Sequence, residues 1–226
     1  MKTIDTCWYR SRCKQECKQS CLKFKLMTSL LLHSGIPEYL WEFKPLRCVN
    51  LDVKPFERLA EIKKDIFDWV EYGNNLYLYS EICGNGKTSW ATQLMFSYFD
   101  KVWHFSALNT YGIFVNVPNF LYNSKRAISQ EMPEFEHLCE QIETASLVIW
   151  DDLPSTQATS YEHQLLLQYI DGRLNRGLSN IFTGNQDREN CNKYLGTRLT
   201  SRIFGCSEVI EFREGDKRKY GRTPIK

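Results

Sequence analysis

The stretch "LYLYSEICGNGKTSWATQL", residues 76–94, contains a glycine-rich loop between a short apolar run and a helix-favouring segment. The pattern G-x-x-x-x-G-K-[ST] matches at Gly86, Lys87 and Thr88. In a loop of this type, backbone N–H groups surround phosphate groups at the N-terminus of the following helix. We therefore predict a nucleotide-phosphate site built from Gly84, Asn85, Gly86, Lys87, Thr88 and Ser89.

The first glycine of the pattern is missing, because Glu81 stands at that position. If the turn there requires a positive φ, a residue with a side chain is strained by roughly 1–2 kcal/mol. A carboxylate facing the γ-phosphate would oppose binding, so we expect the Glu81 side chain to face away from it. The alternative is a glycine-rich turn that binds nothing, since short motifs match by chance.

Apolar runs alternate with helix-favouring segments from residue 76 onward, which is typical of a parallel sheet covered by helices on both faces. The predicted strands are 76–80, 112–117, 146–152, 179–185 and 207–212, and the predicted helices are 55–72, 87–99, 161–177 and 191–205, with Pro118 starting another helix. The sequence thus predicts the α/β fold class.

The run "SLVIWDD" places Asp151 and Asp152 at the carboxyl end of a predicted strand, where ligands bind in open α/β sheets. We predict that Asp151 holds Mg²⁺ and that Asp152 polarises the attacking water. Asn185, at the end of "NIFTGN", is a candidate for orienting the same water. The alternatives are a pair of solvated turn aspartates and an ordinary glycine–asparagine turn.

Two arginines, Arg198 and Arg202, are four residues apart in "YLGTRLTSR" and share a face of the predicted helix. From that face an arginine could reach the γ-phosphate held by a neighbouring subunit, as an arginine finger does. Spacing alone slightly favours the alternative, a pair of surface arginines.

Taken together, GNGKT, LVIWDD, LLLQYIDGRLNRG, NIFTGN, YLGTRLTSRIFG and VIEF resemble, in this order, the bacterial and phage replicative helicase loaders of the DnaC/DnaI type, within the AAA+ ATPases. The resemblance covers about residues 75–218. It implies an AAA+ P-loop core, with Asn185 as sensor 1, Arg202 as the arginine finger beside Arg198, and Arg218 as a candidate for sensor 2. Glu81, and Asp152 in place of the usual glutamate, depart from the pattern and lead us to expect slow ATP turnover.

The segment "CWYRSRCKQECKQSC" places Cys7, Cys13, Cys17 and Cys21 within fifteen residues. Four thiolates near one point suit tetrahedral Zn²⁺, although an iron–sulfur cluster or four free thiols would use the same residues. Aromatic and basic residues around the cluster fit single-stranded DNA or a protein partner. Some loaders of this type have an amino-terminal zinc-binding domain that contacts the helicase.

Charge is unevenly distributed along the 226 residues: the net charge of +2 comprises +5 in residues 1–25, +4 in residues 213–226 and therefore −7 between them. Basic ends fit a nucleic-acid partner or solvated termini. No secretory signal or membrane-spanning run is evident, so we expect a cytoplasmic protein without membrane contact. Nine cysteines, an odd number, then favour thiols or metal ligands over a disulfide framework.

The sequence-based hypothesis is a Mg²⁺-dependent ATPase that binds the replicative DNA helicase and assists its loading on single-stranded DNA. It divides the chain into a Cys-rich, helicase-binding section at 1–50 and an AAA+ domain at 51–226, with homo-oligomers sharing the arginine finger. The rivals are a transposition-helper ATPase with the same core and a non-hydrolysing nucleotide-binding adaptor.

Overall fold

The computed structural model describes residues 21–41, 51–105 and 111–217. The strands are β1 Asn75–Tyr79, β2 Gly112–Asn116, β3 Leu147–Asp151, β4 Ser179–Gly184 and β5 Ser207–Glu211. The α-helices are α1 Leu22–Ser34, α2 Val53–Lys64, α3 Ile66–Glu71, α4 Lys87–Val102, α5 Val117–Ala127, α6 Pro133–Thr144, α7 Ser160–Asn175 and α8 Arg188–Cys206. A 3₁₀ turn spans Glu38–Leu40.

All five strands pair in parallel, in the order β2-β3-β4-β1-β5. The strand that leads into the glycine loop, β1, therefore lies between β4 and β5. Because parallel strands end at one edge, the residues that follow β1, β3 and β4 meet there, which places the predicted site residues side by side.

The sheet is covered on both faces, as the alternation of side chains along β1 illustrates. Leu76 and Leu78 pack into a core with α1 to α4, whereas Tyr77 and Tyr79 pack into a second core with α5 to α8. The α/β fold with a parallel sheet covered on both faces is thus confirmed.

Two predicted helices differ from the structure in their course, and two observed helices, α1 and α6, were not predicted. The helix predicted at 55–72 is divided at Asp65, whose φ of −107° and ψ of 27° separate α2 from α3. The helix predicted at 191–205 begins earlier, at Arg188, and is kinked at Gly196. A signal for α6 was present in the sequence, because apolar residues recur there at helical spacing and pack into or against the core with α5, α7 and α8: Phe135, Leu138, Cys139 and Ile142.

The described part of the Cys-rich section is packed against the sheet. Met27, Leu31 and Ile36 belong to the same core as α4, and the turn at Gly35 lies against the carbonyl of Phe114 on edge strand β2. Helix α1 thus covers that edge, and the section predicted at 1–50 contributes a helix to the core of the α/β fold. The boundary at residue 50 remains a prediction.

Across the described ranges, none of the helices combines the length and the apolar character that a membrane crossing requires.

Candidate nucleotide-binding site

The loop between β1 and α4 has the backbone geometry of a phosphate cradle. Gly84 and Gly86 have φ of 80° and 106°, values that L-residues with side chains rarely adopt. A Cβ atom on Gly84 would also overlap the Asp216 carboxylate, and the Lys217 N–H donates to the Gly84 carbonyl over 2.9 Å. The segment after β5 therefore supports the outer side of the loop.

Lys87, the first residue of α4, is only 8% exposed. Its ammonium group donates to the carbonyls of Ser80 and Ile82 and to Asn85 Oδ1, over 3.4, 3.2 and 3.2 Å. Asn85 is fully buried, and its Nδ2 is without a hydrogen-bond partner in the part of the chain that the structure describes. The loop thus concentrates a cation and a spare donor at the helix N-terminus, which fits an anionic ligand.

Thr88 and Asp151, which lie 63 positions apart in the chain, meet at this site. The Thr88 hydroxyl donates to Asp151 Oδ1 over 2.7 Å. Burial raises the pKa of Asp151, while the hydrogen bonds from Thr88 and Thr183 and the nearby Lys87 oppose that shift. Mg²⁺ that is bound together with a phosphate takes oxygen ligands such as a hydroxyl and a carboxylate. Thr88 and Asp151 offer these two groups in contact with each other, beside Lys87.

Asp152 follows β3 directly and is exposed. Its φ of 61° makes it the one non-glycine residue with a positive φ among the described residues. Aspartate tolerates this left-handed conformation better than most residues, but it still costs free energy. The turn is held by the bond from the Asp152 N–H to Thr183 Oγ1 at 3.0 Å.

Asn185 lies immediately after β4, at the tip of the sheet between the glycine loop and the two aspartates. The backbone that follows Asn185 is anchored by two contacts. The Tyr77 hydroxyl donates to the Gln186 carbonyl over 2.6 Å, and Asp187 caps α8 by accepting from the Asn190 N–H. Asn185 is thus brought to the site edge, as its sequence position predicted, while its role there remains a prediction.

Glu81 is exposed and does not have a positive φ, so the strain considered for its position does not arise. Its Oε1 accepts a hydrogen bond of 3.2 Å from the Tyr79 hydroxyl. Tyr79 belongs to the core on the α8 face of the sheet, opposite α4. The carboxylate is therefore held toward that face.

Arg198 and Arg202 are exposed on α8, both after the kink at Gly196. Arg202 Nε lies 2.7 Å from Asp171 Oδ1 on α7, and the Arg202 side chain remains 48% exposed. The structure brings neither arginine to the glycine loop of its own chain. Their assignment to a neighbouring subunit's site stays a prediction.

Cys7, Cys13, Cys17 and Arg218 lie outside the described residues. Cys21 immediately precedes α1, where its Sγ accepts from the Phe24 N–H over 3.4 Å. In the described ranges, no group of three or more His, Cys, Asp or Glu side chains is arranged to hold a metal ion. The predicted cysteine-bound metal therefore remains untested.

Sequence reasoning missed two residues that shape the site, Thr183 and Tyr79. Thr183 contacts both aspartates and Tyr79 holds Glu81. A signal for Thr183 was present, because a threonine near the end of an otherwise apolar buried strand needs a hydrogen-bond partner. The strand order that supplies this partner was not evident from the sequence.

The parallel sheet, the glycine loop after β1 and the aspartates after β3 together define an α/β fold of the P-loop type. The fold is similar to the crystal structure of the DnaC helicase loader, with a TM-score of 0.65 at 16% identity over 78% of this chain and 100% of that one. It is also similar to the crystal structure of DnaI, with a TM-score of 0.61 at 17% identity over 81% and 95% of the two chains.

A third similar structure is the replication initiator DnaA bound to AMPPCP and single-stranded DNA. Its TM-score is 0.59 at 12% identity, over 74% of this chain and 48% of that one. No family model matches the sequence, and a search of curated proteins gives no significant match. The likeness is thus one of fold, and the DnaC/DnaI-type fold predicted from the motifs is confirmed.

Proposed function

We propose that this protein is an ATP-dependent helicase loader, which binds the replicative DNA helicase and assists its placement on single-stranded DNA. The observation that carries the proposal is the contact of Thr88 with Asp151 beside the buried Lys87, because it joins the two halves of a Mg²⁺–nucleotide site. The likeness to loader folds over 78% and 81% of this chain supports the choice of process.

Each site residue has a distinct role in this proposal. The N–H groups of the loop and Lys87 hold the β- and γ-phosphates of ATP, and Thr88 and Asp151 hold the Mg²⁺ that neutralises developing charge. Asp152 and Asn185 orient the attacking water. Arg202, with Arg198 beside it, acts on the site of an adjacent subunit.

The nucleotide part of the proposal is tested by ATP hydrolysis at millimolar Mg·ATP. We expect slow hydrolysis that falls at least about a hundredfold in Lys87→Ala and Asp151→Asn, because each removes charge that the transition state needs. Lys101→Ala is a matched control, since Lys101 is an exposed lysine in the last turn of the same helix. Activity that survives Lys87→Ala, or absent ATP binding in the unaltered protein, would contradict the proposal.

The loader part is tested by sizing chromatography with light scattering, using this protein and its cognate replicative helicase with Mg·ATP. We expect one complex heavier than the helicase ring alone. Separate peaks under every nucleotide condition would leave the ATPase core in place and direct attention to the transposition-helper alternative. Lack of hydrolysis together with a stable complex would favour the nucleotide-binding adaptor.

The metal proposal assigns Zn²⁺ to Cys7, Cys13, Cys17 and Cys21, in a section that contacts the helicase. The thiol of Cys21 already accepts a backbone N–H, a contact that also supports metal-bound thiolates. Metal analysis of protein purified without chelators tests it. We expect about one equivalent of zinc, reduced in Cys13→Ser/Cys17→Ser, whereas less than about 0.2 equivalents of zinc or iron would rule it out.

A further inference from the structure

The chain leaving β3 is hydrogen-bonded to β4 at Thr183. The regular pairing of the two strands extends to Trp150 and Phe182. Beyond that pair, the Leu153 N–H donates to the Thr183 carbonyl over 2.9 Å and the Asp152 N–H donates to the Thr183 hydroxyl over 3.0 Å. Thr183 therefore fixes the path of the backbone on both sides of the turn at Asp152.

The Thr183 hydroxyl is itself held in one orientation. It donates its proton to Asp151 Oδ1 over 2.8 Å, so its lone pairs are left to accept from the Asp152 N–H. The side chain is 2% exposed, which leaves little room for another rotamer or a substitute water. The Asp151 carboxylate thus fixes the position of the Thr183 hydroxyl, and the Thr183 hydroxyl in turn fixes the position of the Asp152 N–H.

The bond from the Asp152 N–H to the Thr183 hydroxyl stabilises the left-handed conformation of Asp152. A left-handed turn at a residue with a side chain costs of order 1–3 kcal/mol and persists only where surrounding contacts determine it. Without the hydroxyl, the Asp152 N–H would lose its partner and the turn could relax toward an ordinary φ. The Asp152 side chain would then leave the direction in which the present turn aims it.

We propose that Thr183 is a positioning residue of the hydrolytic site, whose hydroxyl, anchored on Asp151, holds the left-handed turn that presents Asp152. The inference rests on the proposed ATPase function. It assigns Thr183 no contact with ATP and requires that it act through Asp152. Substrate binding depends on the loop after β1 and on Asp151, which keeps its hydrogen bond from Thr88 when the Thr183 hydroxyl is removed, so we expect binding to change less than turnover.

A matched pair of variants tests the inference, Thr183→Val, which keeps the shape and removes the hydroxyl, and Thr183→Ser, which keeps the hydroxyl. We expect Thr183→Val to lower kcat by about 10- to 100-fold, since small displacements of a catalytic group have effects of this size. KM for Mg·ATP should change less than about threefold, and Thr183→Ser should keep kcat within about threefold. Thermal melting would verify that each variant is folded, and Thr183→Ala would replace Thr183→Val if the latter is not.

A double-mutant cycle separates positioning from a general structural role. In an Asp152→Asn background, adding Thr183→Val should lower kcat by less than about threefold, because residues that act through one another are not additive. Equal kcat in Thr183→Val and the unaltered protein, equal loss in the Val and Ser variants, or full additivity with Asp152→Asn would each overturn the inference. Absence of Lys87-dependent hydrolysis in the unaltered protein would instead overturn the proposed function.

Discussion

At the residue scale, the unusual feature of this site is the acid at the start of the glycine loop. Tyr79 restrains the Glu81 side chain, because the Tyr79 hydroxyl donates to the Glu81 carboxylate from a buried position. Burial and the negative charge of Glu81 raise the pKa of Tyr79 to about 12, so the hydroxyl remains a donor across the neutral range. The carboxylate is thereby kept on the α8 face of the sheet.

We predict that Tyr79→Phe weakens Mg·ATP binding about 3- to 10-fold, because a freed carboxylate near the triphosphate adds repulsion of this order in a partly solvated site. Titration with a fluorescent ATP analogue would measure the dissociation constant. Glu81→Gln in the Tyr79→Phe background is the matched control and should restore the affinity. A loss that persists in this double variant would mean that Tyr79 matters for another reason.

At the element scale, the kink in α8 decides where the two arginines point. Gly196 has φ 77° and ψ 158°, a combination that is essentially restricted to glycine. The break leaves the Tyr194 carbonyl available to accept from the Ala158 N–H at 2.9 Å, which ties the loop after β3 to α8. The second half of the helix, with Arg198 and Arg202, therefore starts in a new direction.

We predict that Gly196→Ala lowers the free energy of unfolding by about 1–3 kcal/mol, because alanine cannot take this backbone conformation without strain. A Cβ there would also lie 3.3 Å from His163 Nε2. Gly205→Ala is the control, since Gly205 lies in the same helix with open space around it and alanine favours a helix by up to about 1 kcal/mol. Urea denaturation would compare the two, and equal effects would contradict the assignment of the kink to Gly196.

At the scale of the whole molecule, a fully buried arginine links the sheet to α6 and α7. Arg173 donates to Asn180 Oδ1 and to the carbonyls of Ile142, Ala145 and Ser179, over 2.6–2.8 Å. Burial lowers its pKa, and the four oxygens compensate for the water that the guanidinium gives up. This network lies at the amino ends of the strands, at the opposite edge of the sheet from the site.

We predict that Arg173→Met lowers the free energy of unfolding by about 3–5 kcal/mol, because it leaves several buried oxygens without donors. Arg176→Met, at an exposed arginine three residues later, should stay within about 0.5 kcal/mol of the unaltered protein. Urea denaturation monitored by tryptophan fluorescence would measure both. A loss below about 1 kcal/mol in Arg173→Met would show that the network contributes little.

A prediction about assembly also belongs to this scale. Lys87→Ala and Arg202→Ala should each be inactive alone, but a 1:1 mixture should regain about a quarter of the unaltered rate if each site takes its arginine from the neighbouring subunit in a head-to-tail assembly. Steady-state ATPase assays of the mixture would measure this. A control mixture of Lys87→Ala with Arg176→Ala should be more active than the mixture of Lys87→Ala with Arg202→Ala. If the mixture of Lys87→Ala with Arg202→Ala stays inactive, Arg202 is excluded as a finger in trans.

The sequence by itself determined the fold class and the residues on which the site is centred. Gly84 and Gly86, followed by a lysine and a threonine, predict a loop from their residue types alone. The apolar run that ends in two aspartates likewise predicts a buried strand. Strand periodicity and turn residues act over short distances, so they could be recognised without the fold. Five parallel strands and the position of Asn185 at the tip of β4 followed from these local signals.

Only the tertiary structure decided which groups touch. The bonds between Thr88 and Asp151, between Thr183 and both aspartates, and between Arg173 and residues of α6 and β4 join positions that strand order and helix packing bring together. The left-handed turn at Asp152 and the kink at Gly196 are likewise held by such distant partners. A hydrogen bond between residues that are distant in the sequence depends on how the whole chain folds, so local sequence preferences do not predict it.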